Sequence, residues 1–161
     1  MKHGIASDSA HRRWTSHLVA LLAAWLLASA WGSVAQTQWN LQALAGLGVD
    51  IPWAERARTT WQDLIGFAPV YAGILAAGWL PALAVGNWLG RRWPAARNAW
   101  LAAAAGAGMV AAVLAVDAVA PMPSFIDATR HLPGLLSMAA GAVLAGFAYG
   151  RLTSRAQRKP M

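Results

Sequence analysis

Cysteine is absent from the 161 residues, which excludes disulfides, thiol catalysis, Cys-ligated zinc and Cys-held iron–sulfur clusters together. Charge is scarce as well, at 12% of residues against roughly 25% in an average soluble domain. Only six residues are acidic, too few for a dedicated metal cage. No Gly-rich phosphate loop, HExxH or Gly-x-Ser-x-Gly occurs, and no period of 20–50 residues recurs. Of the four histidines, His17 falls before the first apolar run and His131 before the last. Those positions lie near opposite surfaces of a roughly 30 Å hydrocarbon core, so the pair cannot ligate one haem iron. No cofactor is expected, and no reaction can be read from these residues.

What is abundant is apolar: 58% of the chain is hydrophobic, more than one soluble core of this size would hide. Four runs approach or exceed the ~20 residues a bilayer span requires: 18–35, 64–89, 99–120 and 132–149. The expected fold is an all-α integral membrane four-helix bundle, forming a single transmembrane domain over 1–161 with basic tails at 1–17 and 151–161. The net charge of +7 does not point to nucleic acid, because the basic residues border the apolar runs. With four crossings, Lys2, Arg12, Arg13, Arg91, Arg92, Arg97, Arg151, Arg155, Arg158 and Lys159 fall on one side, and Arg56, Arg58 and Arg130 on the other. Short Lys/Arg-rich loops stay cytoplasmic, so both termini are expected inside. The compartment expected is a plasma membrane, of the bacterial inner-membrane type, with anionic inner-leaflet lipids as partners of the basic tail.

The ten tryptophans mark the same borders, since indole favours the headgroup layer. Trp14, Trp88, Trp93 and Trp100 belong to the inner interface, and Trp31, Trp39, Trp53 and Trp61 to the outer. Trp25 and Trp79 fall mid-span and read as packing residues. The first run also admits a second reading. His11-Arg-Arg, the apolar LVALLAAWLLASA and Ser33-Val34-Ala35 together resemble a signal peptide cleaved after Ala35, although a basic lead of roughly 17 residues is long for one.

Thr60-Trp61-Gln62-Asp63 matches a capping box ahead of the second run, which would make Asp63 a helix cap. Pro69 and Pro81 within that run each remove a backbone donor and bend the helix. Asp117, near the end of the third run, needs a compensating partner, and Arg130 and His131 are the nearest in sequence. Ser124-Phe-Ile-Asp127 is a second capping box, with Pro133 in an early turn of the fourth helix. Asp50 is placed to cap a brief turn before Ile51-Pro52-Trp53, so each outer loop is expected to hold a short interfacial helix.

Gln36, Gln38, Asn40, Asp63, Asp117, Arg130 and His131 together make a polar outer rim, the one place where a site is expected. Gly86-Asn-Trp-Leu-Gly90 and Gly146-Phe-Ala-Tyr-Gly150 are GxxxG matches that suit close helix contact, within the chain or with a second copy or another membrane protein. Two function classes follow: a non-catalytic membrane subunit or scaffold, or a small-solute or proton-coupled carrier or channel opening at the rim.

Overall fold

The computed structural model describes residues 3–119 and 126–158, with side chains placed at 14–119, 126 and 128–154. Four α-helices dominate: α1 (His3–Gly46), α2 (Trp53–Arg92), α3 (Arg97–Val119) and α4 (Leu132–Arg158). Single 3₁₀ turns at Pro94–Ala96 and Asp127–Arg130 complete the described structure, which holds no strand. Each helix packs on its neighbours around a ring in chain order, α4 closing back on α1. All four are long and apolar enough to cross a membrane, and the chain is a multi-pass membrane protein. Large apolar side chains such as Leu22, Leu26, Ile65, Leu80, Leu114 and Leu144 point outward, where lipid and not water must cover them.

The helices outrun the apolar segments. At about 1.5 Å per residue, the 44 residues of α1 extend about 66 Å, twice the hydrocarbon thickness. The first outer loop holds no separate short helix, and its one break is at 47–52. α1 continues through Gln36–Ala45 to Gly46, and α2 is already helical from Trp53. The reason is local: nothing between Gln36 and Ala45 interrupts a helix, and the first stop is Gly46-Leu47-Gly48. Gly48 takes φ +88°, where a side chain would be strained, while Val49 N–H reaches back to the Leu44 carbonyl. Pro52 then starts α2 with φ −60°, ψ 155°, and its carbonyl accepts from the N–H groups of Glu55 and Arg56. The N-cap is thus Pro52 and not Asp50. α1 passes Ala35 unbroken, with Ala24, Ala28, Ser33, Thr37 and Leu41 all buried in the bundle.

α2 runs through both Pro69 and Pro81 without ending, and both prolines lie on its exposed side. At the other end, Trp93 leaves helical geometry (φ −130°, ψ 79°) as the residue before Pro94 must.

The middle of the bundle is close-packed on small residues. A Cβ at Gly78 would collide with the Gly108 carbonyl, and one at Gly108 would come within 2.7 Å of the Ala82 methyl group. Gly86 meets Ala104 and Gly146 meets Ala105 in the same way, and Gly90 and Gly150 abut Arg97 and Asn98. Both GxxxG pairs therefore serve contacts with α3 inside the chain, where the absence of a side chain lets backbones approach. Leu75, Trp79, Leu101, Ala105, Met109 and Ala145 fill the space between, all completely or almost completely shielded. Trp25 donates its indole N–H to the Ala72 carbonyl at 3.1 Å, so both mid-span tryptophans are packing residues.

Candidate binding rim

The end of the bundle formed by the C-terminal turns of α1, the N-terminal turns of α2, the turn Asp127–Arg130 and the start of α4 gathers most of the polar side chains outside the basic end. Gln36 is buried there, and its Oε1 accepts the Ala128 N–H at 2.9 Å, tying α1 to the α3–α4 connection. Two indoles converge on one residue of α4: Trp31 donates to the Ser137 carbonyl at 2.9 Å and Trp39 to the Ser137 hydroxyl at 2.8 Å. That hydroxyl in turn donates to the Gly134 carbonyl at 2.7 Å.

Asp63 is not a helix cap. It lies ten residues inside α2, and its Oδ2 is 2.6 Å from the Thr37 hydroxyl of α1. Thr60, the other half of the supposed capping box, donates back to the Arg56 carbonyl at 2.7 Å and accepts from Gln38 Nε2 at 2.9 Å. A capping pattern is purely local. Here the preceding turn, Ala54-Glu-Arg-Ala57, consists of strong helix formers with Glu55 at the N-terminal dipole, so the helix begins earlier and the pair becomes an interhelical contact.

The Thr37 hydroxyl has one proton and two acceptors in reach, Asp63 and the Ser33 carbonyl at 2.9 Å. Ser29, Ser33 and Thr37 recur every four residues along α1 and are all buried. The Ser33 hydroxyl and the Tyr71 hydroxyl of α2 are buried with no hydrogen-bond partner among the described residues, as is Asn40 Oδ1. Tyr71 lies against Gly32, whose missing side chain leaves room for the ring.

Gln38 Oε1 accepts from the Arg56 guanidinium at 3.3 Å, and that guanidinium lies 6.0 Å from the centre of the Trp53 ring. Asp117, Arg130 and His131 lie on another part of the rim, at α3 and its connection to α4. Asp117 lies half-buried 3.4 Å from the Thr129 hydroxyl, which is 2.6 Å from the Ile126 carbonyl. Arg130 and His131 are exposed. The structure thus joins Gln38 and Asp63 to the α1–α2 seam, sets Asp117 against the turn before α4, and leaves Asn40 without a bond to either. The capping-box serine, Ser124, lies outside the described residues.

Two grooves flank the Gln38–Arg56 contact and share both residues. One, of about 380 Å³, is lined by Trp31, Val34, Ala35, Trp39, Gln42 and Ser137; the other, of about 400 Å³, by Trp53, Ala57, Thr60, Trp61 and Leu64. Sequence reading missed Arg56 and Thr37 as members of the rim. The four-residue spacing of Ser29, Ser33 and Thr37 was the signal for the latter; the former had none, because its partner Gln38 is reached only when α1 and α2 pair. No group of three or more metal-ligating side chains occurs among the described residues. No family model, curated protein or solved structure matches this chain significantly.

Proposed function

We propose that this multi-pass membrane protein is a non-catalytic membrane subunit or scaffold, with both termini on the cytoplasmic side of a bacterial inner membrane. The supporting observation is the filled middle of the bundle. Leu75, Trp79, Leu101, Ala105 and Met109 are completely shielded, and the glycine contacts of α2, α3 and α4 leave no room there for even one added methyl group. A carrier needs a solute-sized polar space near the midplane; this layer offers alkyl groups, a thioether and one indole, whose buried N–H has no partner among the described residues. The basic tail at 151–159 rests, on this reading, on anionic lipids of the inner leaflet.

The decisive experiment is reconstitution into liposomes that trap a pH-sensitive dye. An imposed proton gradient is expected to decay at the protein-free rate. Protein-dependent decay that is lost in Asp63→Asn would overturn the scaffold reading in favour of a proton-coupled carrier. That second reading draws on one feature, the buried Ser33 and Tyr71 hydroxyls lying inward of the Thr37–Asp63 contact without partners among the described residues. Orientation is tested separately. A reporter active only in the cytoplasm is expected to work after Met161 and to fail at Asp50, and activity at Asp50 would invert the topology.

A further inference from the structure

Arg56 is a half-buried cation whose described hydrogen bond engages one of the five N–H donors of a guanidinium. Its neighbour Arg58 pairs with Glu55 at 3.8 Å, whereas neither groove beside Arg56 contains an aspartate or glutamate. Both grooves change character along their length in the same sense. In the first, the polar end is Gln42, Arg56 and Gln38, and the apolar end is Val34, Ala35 and Trp31. In the second, Trp53 stands at the outer end beside Arg56, and Arg56 and Thr60 give way inward to Trp61 and Leu64. α1 approaches this end of the bundle and α2 departs from it, so both gradients run from the aqueous boundary toward the hydrocarbon. From the Gln38–Arg56 contact inward, Gln38 to Trp31 and Arg56 to Leu64 cover about 10 and 12 Å of helix axis, most of one leaflet's half of a ~30 Å core. Each groove is walled by two indoles, and those of Trp31 and Trp39 are held by Ser137.

We propose that the Gln38–Arg56 pair seats the phosphate of a diacyl anionic phospholipid from the adjoining leaflet, with one acyl chain lying in each groove. The chemistry is complementary at every level. A guanidinium meets phosphate through paired donors, the second N–H of the Gln38 amide, whose first is held by Thr60, adds a neutral donor beside it, and the Trp and alkyl walls take the chains. A headgroup ammonium finds no carboxylate in the groove linings, which favours an anionic lipid over a zwitterionic one. The site rests on the membrane reading of the chain and is independent of its assignment as scaffold or carrier.

The test uses the full chain in neutral detergent with phosphatidylglycerol, phosphatidylcholine of the same chains, or glycerol phosphate, which has the headgroup charge and no chains. Phosphatidylglycerol is expected to raise the melting temperature well beyond phosphatidylcholine, and glycerol phosphate to leave it unchanged. Arg56→Gln is expected to weaken phosphatidylglycerol binding about tenfold or more, while Arg58→Gln, an exposed neighbour outside both grooves, retains it. Equal responses to the two lipids, a response to glycerol phosphate matching that to lipid, or full phosphatidylglycerol binding by Arg56→Gln would each overturn the proposal. Should Arg56→Gln fail to fold, the native chain still decides. Phosphatidylglycerol bearing a photoactivatable group in mid-chain is expected to label both 31–42 and 53–64, with unlabelled phosphatidylglycerol displacing the label. Labelling spread evenly over the four helices, or absent from either segment, refutes it.

Discussion

Arg97 and Arg56 occupy opposite ends of one bundle and are held in opposite ways. The Arg97 guanidinium, at the first turn of α3, donates to Asn87 of α2 at 3.3 Å and to the Gly150 carbonyl, Thr153 and Ser154 of α4 at 3.0–3.2 Å. Its alkyl stem lies on Gly90. Arg56 has one described hydrogen bond, at 3.3 Å, and open grooves on both sides. The first cation is consumed by structure, joining three helices through neutral acceptors; the second retains donors for something else. Net charge counts the two alike and the positive-inside rule only sorts them to opposite sides of the membrane; the number of acceptors within reach separates the consumed cation from the one with donors to spare.

The sharpest way to break that comparison is to remove each guanidinium in turn. Arg97→Ala strands the Thr153 and Asn87 acceptors and unties α3 from α2 and α4, so thermal unfolding in detergent should show a loss of about 3 kcal/mol. Arg97→Lys should recover only part, since an ammonium is a point donor and cannot fork across four acceptors. Arg56→Ala should cost less than about 1 kcal/mol in the same assay without added lipid. Equal losses at the two sites would mean that Arg56 is as structural as Arg97.

How these features stood in the sequence follows from their range. The four spans were legible because hydropathy is local, and Trp79, read as a mid-span packing residue, is completely buried. The GxxxG pairs were visible, but which helix they face was not. Asp63 was misread as a cap because its partner Thr37 lies 26 residues away on another helix. The Arg97 cage was invisible for the same reason, its acceptors lying 10 to 57 residues distant. Charge at a span border signals topology, and nothing local tells whether that charge also faces inward.

A second contrast, between glycines facing helices and glycines facing lipid, predicts the next largest effect. Gly78→Val or Gly108→Val must push α2 from α3 and should cost about 2 kcal/mol or more. Gly66 and Gly73, with nothing within 4 Å of an added Cβ, should accept Ala with a gain of up to about 1 kcal/mol from helix propensity. Similar losses at all four sites in detergent melting would show that the small-residue seam does not set the packing.

The two rim groups can be separated by coupling. Asp117→Asn should lower the melting temperature, and Arg130→Gln added to it should restore part of the loss, corresponding to an interaction of about 1 kcal/mol between neighbours. Simple additivity would assign Asp117 to the Thr129 contact alone.

The smallest expected effect is at Asp63, and it follows from counting protons at Thr37. In the native contact the hydroxyl faces Asp63 at 2.6 Å and the Ser33 carbonyl at 2.9 Å and can donate to only one of them. In Asp63→Asn the amide N–H can donate to the Thr37 oxygen while the Thr37 proton turns to Ser33, so every group in the trio remains bonded. The change in stability should therefore stay within about 0.5 kcal/mol, even though a charge has been removed from the α1–α2 seam. Asp63→Leu offers no donor or acceptor and should cost more, about 1 kcal/mol. If Asp63→Asn is instead as damaging as Asp63→Leu, the carboxylate charge itself holds the seam, and the hydrogen-bond account of the contact fails. If Asp63→Asn melts like the native chain yet abolishes a proton-driven flux, the exchangeable proton is the function, and the contact with Thr37 belongs to a pathway instead of a joint.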